Sequence, residues 1–476
     1  MKTMLETKNA SLLKSFGLKM AIIIVMSSII GSGVFKKVAP MAEGLHASWL
    51  VILAWVLSGI VVIFGVLSIG ELGALFPHSG GPFSWLEKIY GKTVSYLYGW
   101  ACFSIIQTAT ISSIAFIFAG ALNTFIPLPH LSPTLESITL FGVIQPFDNI
   151  GAKVVAILLI ILLTIINISG AKKGGFVSMI STFIIGFSII IIAVLAMNSS
   201  IGSWETFNTP SASYPSEGFT FFGFFGVMVI AMRNAFWGYE GWLALGFVGE
   251  EIHEPHKTLP RAMFIGVSLT IILYVIINTS YLYVMPIDEM VAATQADQNS
   301  IAAVLVMDKI FGNSGAYIVS AMILVSTIGC TNATILAASR IYYAMAKKGM
   351  FFKGAAKISE KRNTPINSLI YQCIWASVLV FSGSFDFLTD LVIIAAFIFY
   401  GLIVLGVIIL RFRDKDTPRL YKAFGYPFVQ IIFILFCMLL LVISFLESPA
   451  LSILGIILIL SGLPFYYYWK SKNSVD

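Results

Sequence analysis

Two stretches of the chain place glycines and polar groups inside apolar runs. They are Ile29-Ile30-Gly31-Ser32-Gly33-Val34-Phe35 and Phe236-Trp237-Gly238-Tyr239-Glu240-Gly241-Trp242. Glycine costs a helix about 1 kcal/mol relative to alanine, so paired glycines let the backbone open. An opened helix presents amide N–H groups at the start of its second half. There the helix dipole adds roughly half a positive charge. Gly31, Ser32 and Gly33 therefore form a cradle sized for a carboxylate. The end of the first half, near Ile29, leaves carbonyls without partners, and the second stretch offers another set near Trp237 and Glu240, with Gly238 between them counted among the substrate-binding residues. Carbonyls suit an ammonium group. A –COO⁻ cradle beside an –NH₃⁺ cradle describes a site for the backbone of an α-amino acid. Gly-Ser-Gly by itself also marks close helix packing; the second break is what favours a site.

Side chains around the breaks extend the reading. Phe236 and Trp237 are expected at the mouth, where an aromatic ring closes over a bound substrate as a gate or simply packs. A carboxylate such as Glu240 costs about 2.5–3.5 kcal/mol at the middle of a membrane. It needs a proton, a substrate cation or a basic partner, and Arg233 and Lys36 are the candidate partners. With Lys37 these two cations would line an outer vestibule, pair with Glu240, or snorkel outward. Glu250, Glu251, His253, Glu254 and His256 are spaced like metal ligands, but Pro255 and their position favour a solvated loop. No metal or other cofactor is expected. Glu71 is expected to be either a cap or inner gate or plainly exposed. Ser326, Thr327 and Asn332 are expected to hydrogen-bond between helices, with a sodium site as the alternative.

The elements that position these residues follow from composition. Of 476 residues 58% are apolar, and only 11% are charged, against about 25% in an ordinary soluble domain. Mean hydropathy is +0.92. A span needs about 20 apolar residues. Spanning runs lie at 17–38, 48–75, 93–126, 152–170, 176–197, 220–247, 260–285, 314–346, 367–383, 387–411, 426–446 and 449–469. They do not alternate as barrel strands do, so twelve helices are expected. These numbers exclude a soluble globular protein, a disordered chain and a nucleic-acid binder. With the N-terminus inside, about 24 of the Lys and Arg residues fall on the inner side. The exceptions are Lys36, Lys37, Lys153, Arg233 and Lys309. Both termini are thus expected to be cytoplasmic, and the net charge of +6 serves topology and anionic lipid. The basic N-terminus reads as the flank of an uncleaved first span rather than a signal peptide. The chain is read as a single transport domain, 1–476.

The breaks fall in the first and sixth spans. Paired interruptions in corresponding spans of two halves point to an inverted-repeat transporter with a site at the membrane midplane. A repeat of five spans, an odd number, forces the second copy to be inverted. The first repeat is expected over 17–197 and the second over 220–411, with two extra helices at 426–469.

Further motifs accompany the breaks. They are Gly70-Glu71-Leu72-Gly73-Ala74 with Pro77-His78-Ser79-Gly80-Gly81, and Tyr98-Gly99-Trp100 with Gln107-Thr108. Next come Gly249-Glu250-Glu251 with Pro255, and Leu259-Pro260-Arg261-Ala262. Last are Asn332-Ala333-Thr334 and Tyr343-Ala344-Met345-Ala346. With these the sequence resembles the amino acid–polyamine–organocation superfamily. More narrowly, it is similar to bacterial L-amino-acid-transporter-like exchangers of the serine/threonine or alanine-serine-cysteine type. The resemblance covers about residues 17–350. It implies the LeuT-like five-plus-five fold and exchange of L-amino acids across the plasma membrane by alternating access. It also implies that the Ser32 and Gly33 amides hold the carboxylate, that carbonyls of Ile29, Trp237 and Glu240 hold the amine, and that Trp237 is the gate.

This sequence departs from the family in three places. Glu240 stands where Asp is usual. Lys36-Lys37 replaces a neutral pair. Thr182-Phe183-Ile184-Ile185-Gly186 lacks the lysine that replaces a sodium ion in many relatives. Proton-coupled uptake with Glu240 as carrier is therefore the rival mode. Animal relatives attach a glycoprotein through a cysteine after the third span. Residues 127–150 hold no Cys, so no disulfide-linked subunit is expected. The five histidines lie near loops and converge on no catalytic set, which argues against an enzyme. A channel would not need paired midplane breaks. Oligomeric state and side-chain preference stay open.

Overall fold

The computed structural model describes residues 17–473 apart from Ser32, 78–80, 143, 217, 248, 250–251, 298–299 and 360–363. For 171–183, 247 and 473 it describes the backbone alone. Among the described residues every regular element is helical, and the only β pairing is two isolated bridges. Among the described residues, nine helices are long and apolar enough to cross a membrane. They are Ser48–Leu75, Lys92–Asn123, Ile150–Ser169, Phe221–Tyr239, Pro255–Val284, Asn313–Lys347, Phe385–Arg413, Phe428–Glu447 and Pro449–Lys472. Two shorter apolar helices, Leu18–Ile29 and Ile366–Ser382, and the helix Ala171–Met197, apolar over its described part Ile184–Met197, occupy the remaining apolar runs. Helices close their backbone hydrogen bonds internally, which lipid demands. Leu158, Ile165, Ile190, Leu435 and Ile457 point outward from them, an apolar surface that fits a lipid solvent.

The first run continues further than its hydropathy predicts. It comprises Leu18–Ile29, Gly33–Lys36 and Val38–Leu45, and His46 ends it at φ 56°. The second interrupted run comprises Phe221–Tyr239 and Ala244–Phe247. Three ten-residue helices, Gly81–Tyr90, Ile287–Ala296 and Ala302–Phe311, stand where loops were expected. In Gly81–Tyr90 the buried face is Phe83, Leu86 and Ile89, an amphipathic pattern too short for a search tuned to spans. The Lys92–Asn123 helix carries a π-turn at Cys102–Ile106, inside which Thr108 donates to the Phe103 carbonyl at 2.7 Å. Such turns arise as one-residue bulges and have no hydropathy signature.

The helices fall into two packed sets. Lys92–Asn123 packs on Ile150–Ser169, Asn313–Lys347 and Ile366–Ser382. Side chains bind backbone across this set: Ser112 to Ala376 at 2.8 Å, Trp375 to Ser104 at 2.9 Å and Tyr342 to Cys102 at 3.2 Å. Ser48–Leu75 and Pro255–Val284 pack together and against the two interrupted helices.

Candidate functional site

The two interruptions cross each other. The first helix ends at Ile29, and Ile30 is extended (φ −71°, ψ 95°) with its N–H closing on the Met26 carbonyl at 2.8 Å. Helix resumes at Gly33. Ser32, the central residue of the expected carboxylate cradle, lies outside the described residues. The second helix ends at Tyr239, Glu240 is extended (φ −58°, ψ 145°), and Gly241 has φ +102°. A Cβ on Gly33 would lie 2.7 Å from Trp237 Cδ1 and 2.9 Å from Gly238 Cα. One on Gly241 would lie 2.1 Å from the Ser28 carbonyl oxygen. Glycine is required at both positions, for backbone-to-backbone approach and for the positive φ. Gly31 differs: the nearest atom to a Cβ there is the Ile29 oxygen at 3.8 Å.

Carbonyls from both breaks converge on one point. Tyr274, from the Pro255–Val284 helix, places its hydroxyl 2.7 Å from the Gly238 oxygen and 3.1 Å from the Ile29 oxygen. One hydroxyl supplies one proton, so two acceptors meet a single donor. The Trp237 carbonyl, expected with them, accepts the Glu240 N–H at 3.2 Å. Tyr274 was not anticipated. Its only sequence signal is a phenol in an apolar helix, where a buried Tyr needs a partner.

Trp237 is buried and meets Phe385 edge-on at 5.9 Å. Phe236 packs instead against Phe397 at 4.6 Å and Phe436 at 5.3 Å. Glu240 pairs with neither Arg233 nor Lys36. It accepts the Tyr400 hydroxyl at 2.5 Å, and among the described residues no cation lies within ion-pair distance of it. The expected partners are engaged elsewhere because the Phe385–Arg413 helix brings two aspartates to them. Arg233 binds Asp390 at 2.8 Å and Ser444 at 3.4 Å. Lys37 is fully buried and binds Asp386 at 2.6 Å and Asn234 at 3.1 Å. Both aspartates lie in the first two turns of their helix, where the dipole favours a carboxylate. Lys36 stands over the Phe385 ring at 5.1 Å. It lines a cavity of about 290 Å³ together with Glu43, Asp148, Lys153 and Asp386. Burial pushes the Asp148 carboxyl above its usual range, against the pull of Lys153.

The remaining candidates resolve simply. Glu71 is neither a cap nor exposed: it is buried and takes a fork from Arg411 at 3.0 and 2.6 Å. Glu250 and Glu251 lie outside the described residues, and Glu254 binds Lys257 at 3.2 Å. Thr327 turns its hydroxyl onto the Ile323 and Leu324 carbonyls, and Asn332 accepts from Asn167 at 2.7 Å. Asp386, Asp390 and Tyr400 were not singled out, because hydropathy marks their helix as a span without saying which of its residues face inward.

Comparison with known proteins places this geometry in context. The amino acid permease family profile matches residues 16–463. The chain is 29% identical over 472 residues to the serine/threonine exchanger SteT of Bacillus subtilis (strain 168), covering 99% of this chain and 100% of that one. It is 29% identical to the human b(0,+)-type amino acid transporter 1, over 97% of this chain and 89% of that one. It is 30% identical to the human large neutral amino acids transporter small subunit 2, over 97% and 82%.

Proposed function

Starting from the amino acid permease family, to which the chain belongs, we propose that this multi-pass membrane protein exchanges L-amino acids across the plasma membrane by alternating access. The observation that carries the reading is the crossing of the two breaks at Gly33, Gly238 and Gly241, with the Ile29 and Gly238 carbonyls converging on one hydroxyl. Two carbonyl acceptors share the single proton of Tyr274, and the acceptor capacity left over suits an ammonium group, which brings three protons and accepts none. The amides of Gly31, Ser32 and Gly33, at the start of the resumed helix, take the carboxylate. Trp237 closes over the bound amino acid. Small neutral substrates follow from the serine/threonine exchanger among the relatives. Among the described residues, the nine long apolar helices, Ala171–Met197 and the shorter Leu18–Ile29 and Ile366–Ser382 support twelve spans in a five-plus-five inverted repeat. The Lys and Arg distribution supports cytoplasmic termini. The four cysteines sit in helices and residues 127–150 hold none, so the protein works without a disulfide-linked subunit.

One observation favours a second mode. Glu240 is held by a phenol and by no described cation, which suits a proton carrier in amino-acid symport. Purified protein in liposomes separates the two. Vesicles loaded with unlabelled amino acids, or with buffer only, are given radiolabelled serine, alanine, leucine, arginine or glutamate. Exchange requires uptake into loaded vesicles only. Uptake into empty vesicles that grows with an inward proton gradient selects symport.

A further inference from the structure

The ion pairs of the Phe385–Arg413 helix with other helices, and its bond to Glu240, lie on one side. At its outer end Asp386 and Asp390 hold Lys37 and Arg233, and midway Tyr400 donates to Glu240. At its inner end Arg411 forks onto Glu71. These partners belong to the two interrupted helices or to Ser48–Leu75. The segment 414–427 that follows adds to the same anchorage. Arg419 Nε lies 3.1 Å from Glu71 Oε1, and the Ala423 N–H donates to Oε2 at 2.7 Å. A Cβ on Gly70, the neighbour of Glu71, would meet Tyr421 at 3.2 Å and Pro260 at 3.1 Å, so the segment lies flat on that helix. Gln430 then donates to Ser68 at 3.0 Å. Two guanidinium groups and an amide thus converge on one carboxylate that is 1% exposed.

The other side of the helix is apolar. It packs on Lys92–Asn123, with the Phe399 and Tyr98 rings 5.3 Å apart. Among the described residues, no hydrogen bond or ion pair joins it to Lys92–Asn123, Ile150–Ser169, Asn313–Lys347 or Ile366–Ser382. Its remaining polar contacts are at the inner end, where Arg413 donates to the Lys88 and Ile89 carbonyls and Tyr90 donates to the Leu402 carbonyl. Dispersion contacts are individually weak and non-directional, so an apolar face slides and repacks. A buried carboxylate with two guanidinium partners does not separate without stranding charge.

We propose that Glu71, Arg411 and Arg419 form a hub that fastens the Phe385–Arg413 helix to Ser48–Leu75 and, with it, to Pro255–Val284 and the interrupted helices, as one moving body. The sliding surface of the transport cycle is then this helix's apolar face. The inference rests on the alternating-access reading above. Glu71 acts as a positioning residue: it is far from the breaks in sequence and works through Arg411.

Spin-label distances test this in protein whose four native cysteines are replaced. One pair, Lys257→Cys with Lys422→Cys, lies within the proposed body. The other, Lys347→Cys with Lys422→Cys, spans the apolar face. All three positions are exposed. Distances are read in liposomes with and without a saturating mixture of serine, alanine and leucine. The expected result is an unchanged 257–422 distribution and a shifted 347–422 distribution. Glu71→Gln is expected to broaden the 257–422 distribution without any ligand. A 257–422 shift on amino-acid addition overturns the proposal, as does a 257–422 distribution that Glu71→Gln leaves intact. A fixed 347–422 distance in vesicles that do exchange overturns it too. If the vesicles exchange nothing, the transport reading fails, and the ligand-free Glu71→Gln comparison still decides the hub.

Discussion

At the residue scale, three glycines that look alike in sequence carry different loads. Gly241 combines φ +102° with a Cβ position 2.1 Å from the Ser28 oxygen. Gly241→Ala is expected to abolish folding or insertion, read as loss of a monodisperse peak in detergent. Gly33 has an ordinary helical role but presses on Trp237 and Gly238. Overpacking costs about 1–3 kcal/mol, which is about tenfold in rate for each 1.4 kcal/mol. Gly33→Ala should therefore insert normally and lose about tenfold or more of its exchange rate. Gly31→Ala has open space and should exchange almost as the parent does. Equal loss in Gly31→Ala and Gly33→Ala would mean that backbone flexibility, not the crossing, is what matters. Two further substitutions separate gate from packing. Trp237→Ala is expected to raise the apparent KM or stop exchange, and wild-type kinetics would reduce it to packing. Glu240→Gln should flatten any pH dependence of uptake, and a retained profile would clear Glu240 of titration.

At the scale of elements, the outer halves of the interrupted helices are held to the Phe385–Arg413 helix by charge. Removing one partner of a buried pair strands the other and costs about 3–5 kcal/mol, whereas removing both is often near neutral. Lys37 is fully buried whereas the Asp386 side chain is 47% exposed, so Asp386→Asn, which strands the ammonium, should lower the melting temperature in detergent markedly, and adding Lys37→Met should recover most of the loss. A double variant as unstable as the sum of its parts would show that the pair is not coupled. The outer segment around Ser211 is tied differently. Asp288 on the Ile287–Ala296 helix accepts the Ala212 N–H at 3.0 Å. Hydrogen bonds from Ser211 and Ala212 hold its carboxyl below the usual range. A depressed carboxyl stabilises the fold above its unfolded pKa of about 3.9. That contribution is lost as pH falls through the lower folded value. Proteolysis of the 209–217 segment should thus be flat from neutral pH to about pH 4 and rise only below it. Asp288→Asn should remove the acid step, and a step near neutral pH would point to another group.

At the scale of the molecule, the cavity lined by Lys36, Asp148, Lys153 and Asp386 and the Glu71 hub lie toward opposite ends of the Phe385–Arg413 helix. The proposed topology puts the first outside and the second inside. In cysteine-free protein, Ser137→Cys should react with an impermeant maleimide added to intact cells, and Lys415→Cys only after permeabilisation. The reverse pattern would invert the molecule and with it the assignment of outer and inner gates. Loss of exchange with intact labelling would instead locate the fault in the site.

What the sequence determined by itself was whatever depends on local composition. Apolar runs of spanning length become helices because lipid leaves the backbone no other partner, and their ends were legible to within a few residues for Ser48–Leu75 or Asn313–Lys347. The two breaks were legible for the same reason, since glycine weakens a helix wherever it sits. Pairing was not legible. Asp386 and Asp390 are about 350 and 160 residues from Lys37 and Arg233, and nothing local distinguishes them from other carboxylates at a helix start. A basic partner was one of the readings open for Glu240, yet its partner is the phenol of Tyr400, because Arg233 points to Asp390. Tyr274 joins the site only because its helix crosses both breaks. Hydropathy states which residues enter the membrane. Only tertiary packing decides which buried polar groups meet there, since each must find whatever partner the crossing helices bring within about 3 Å.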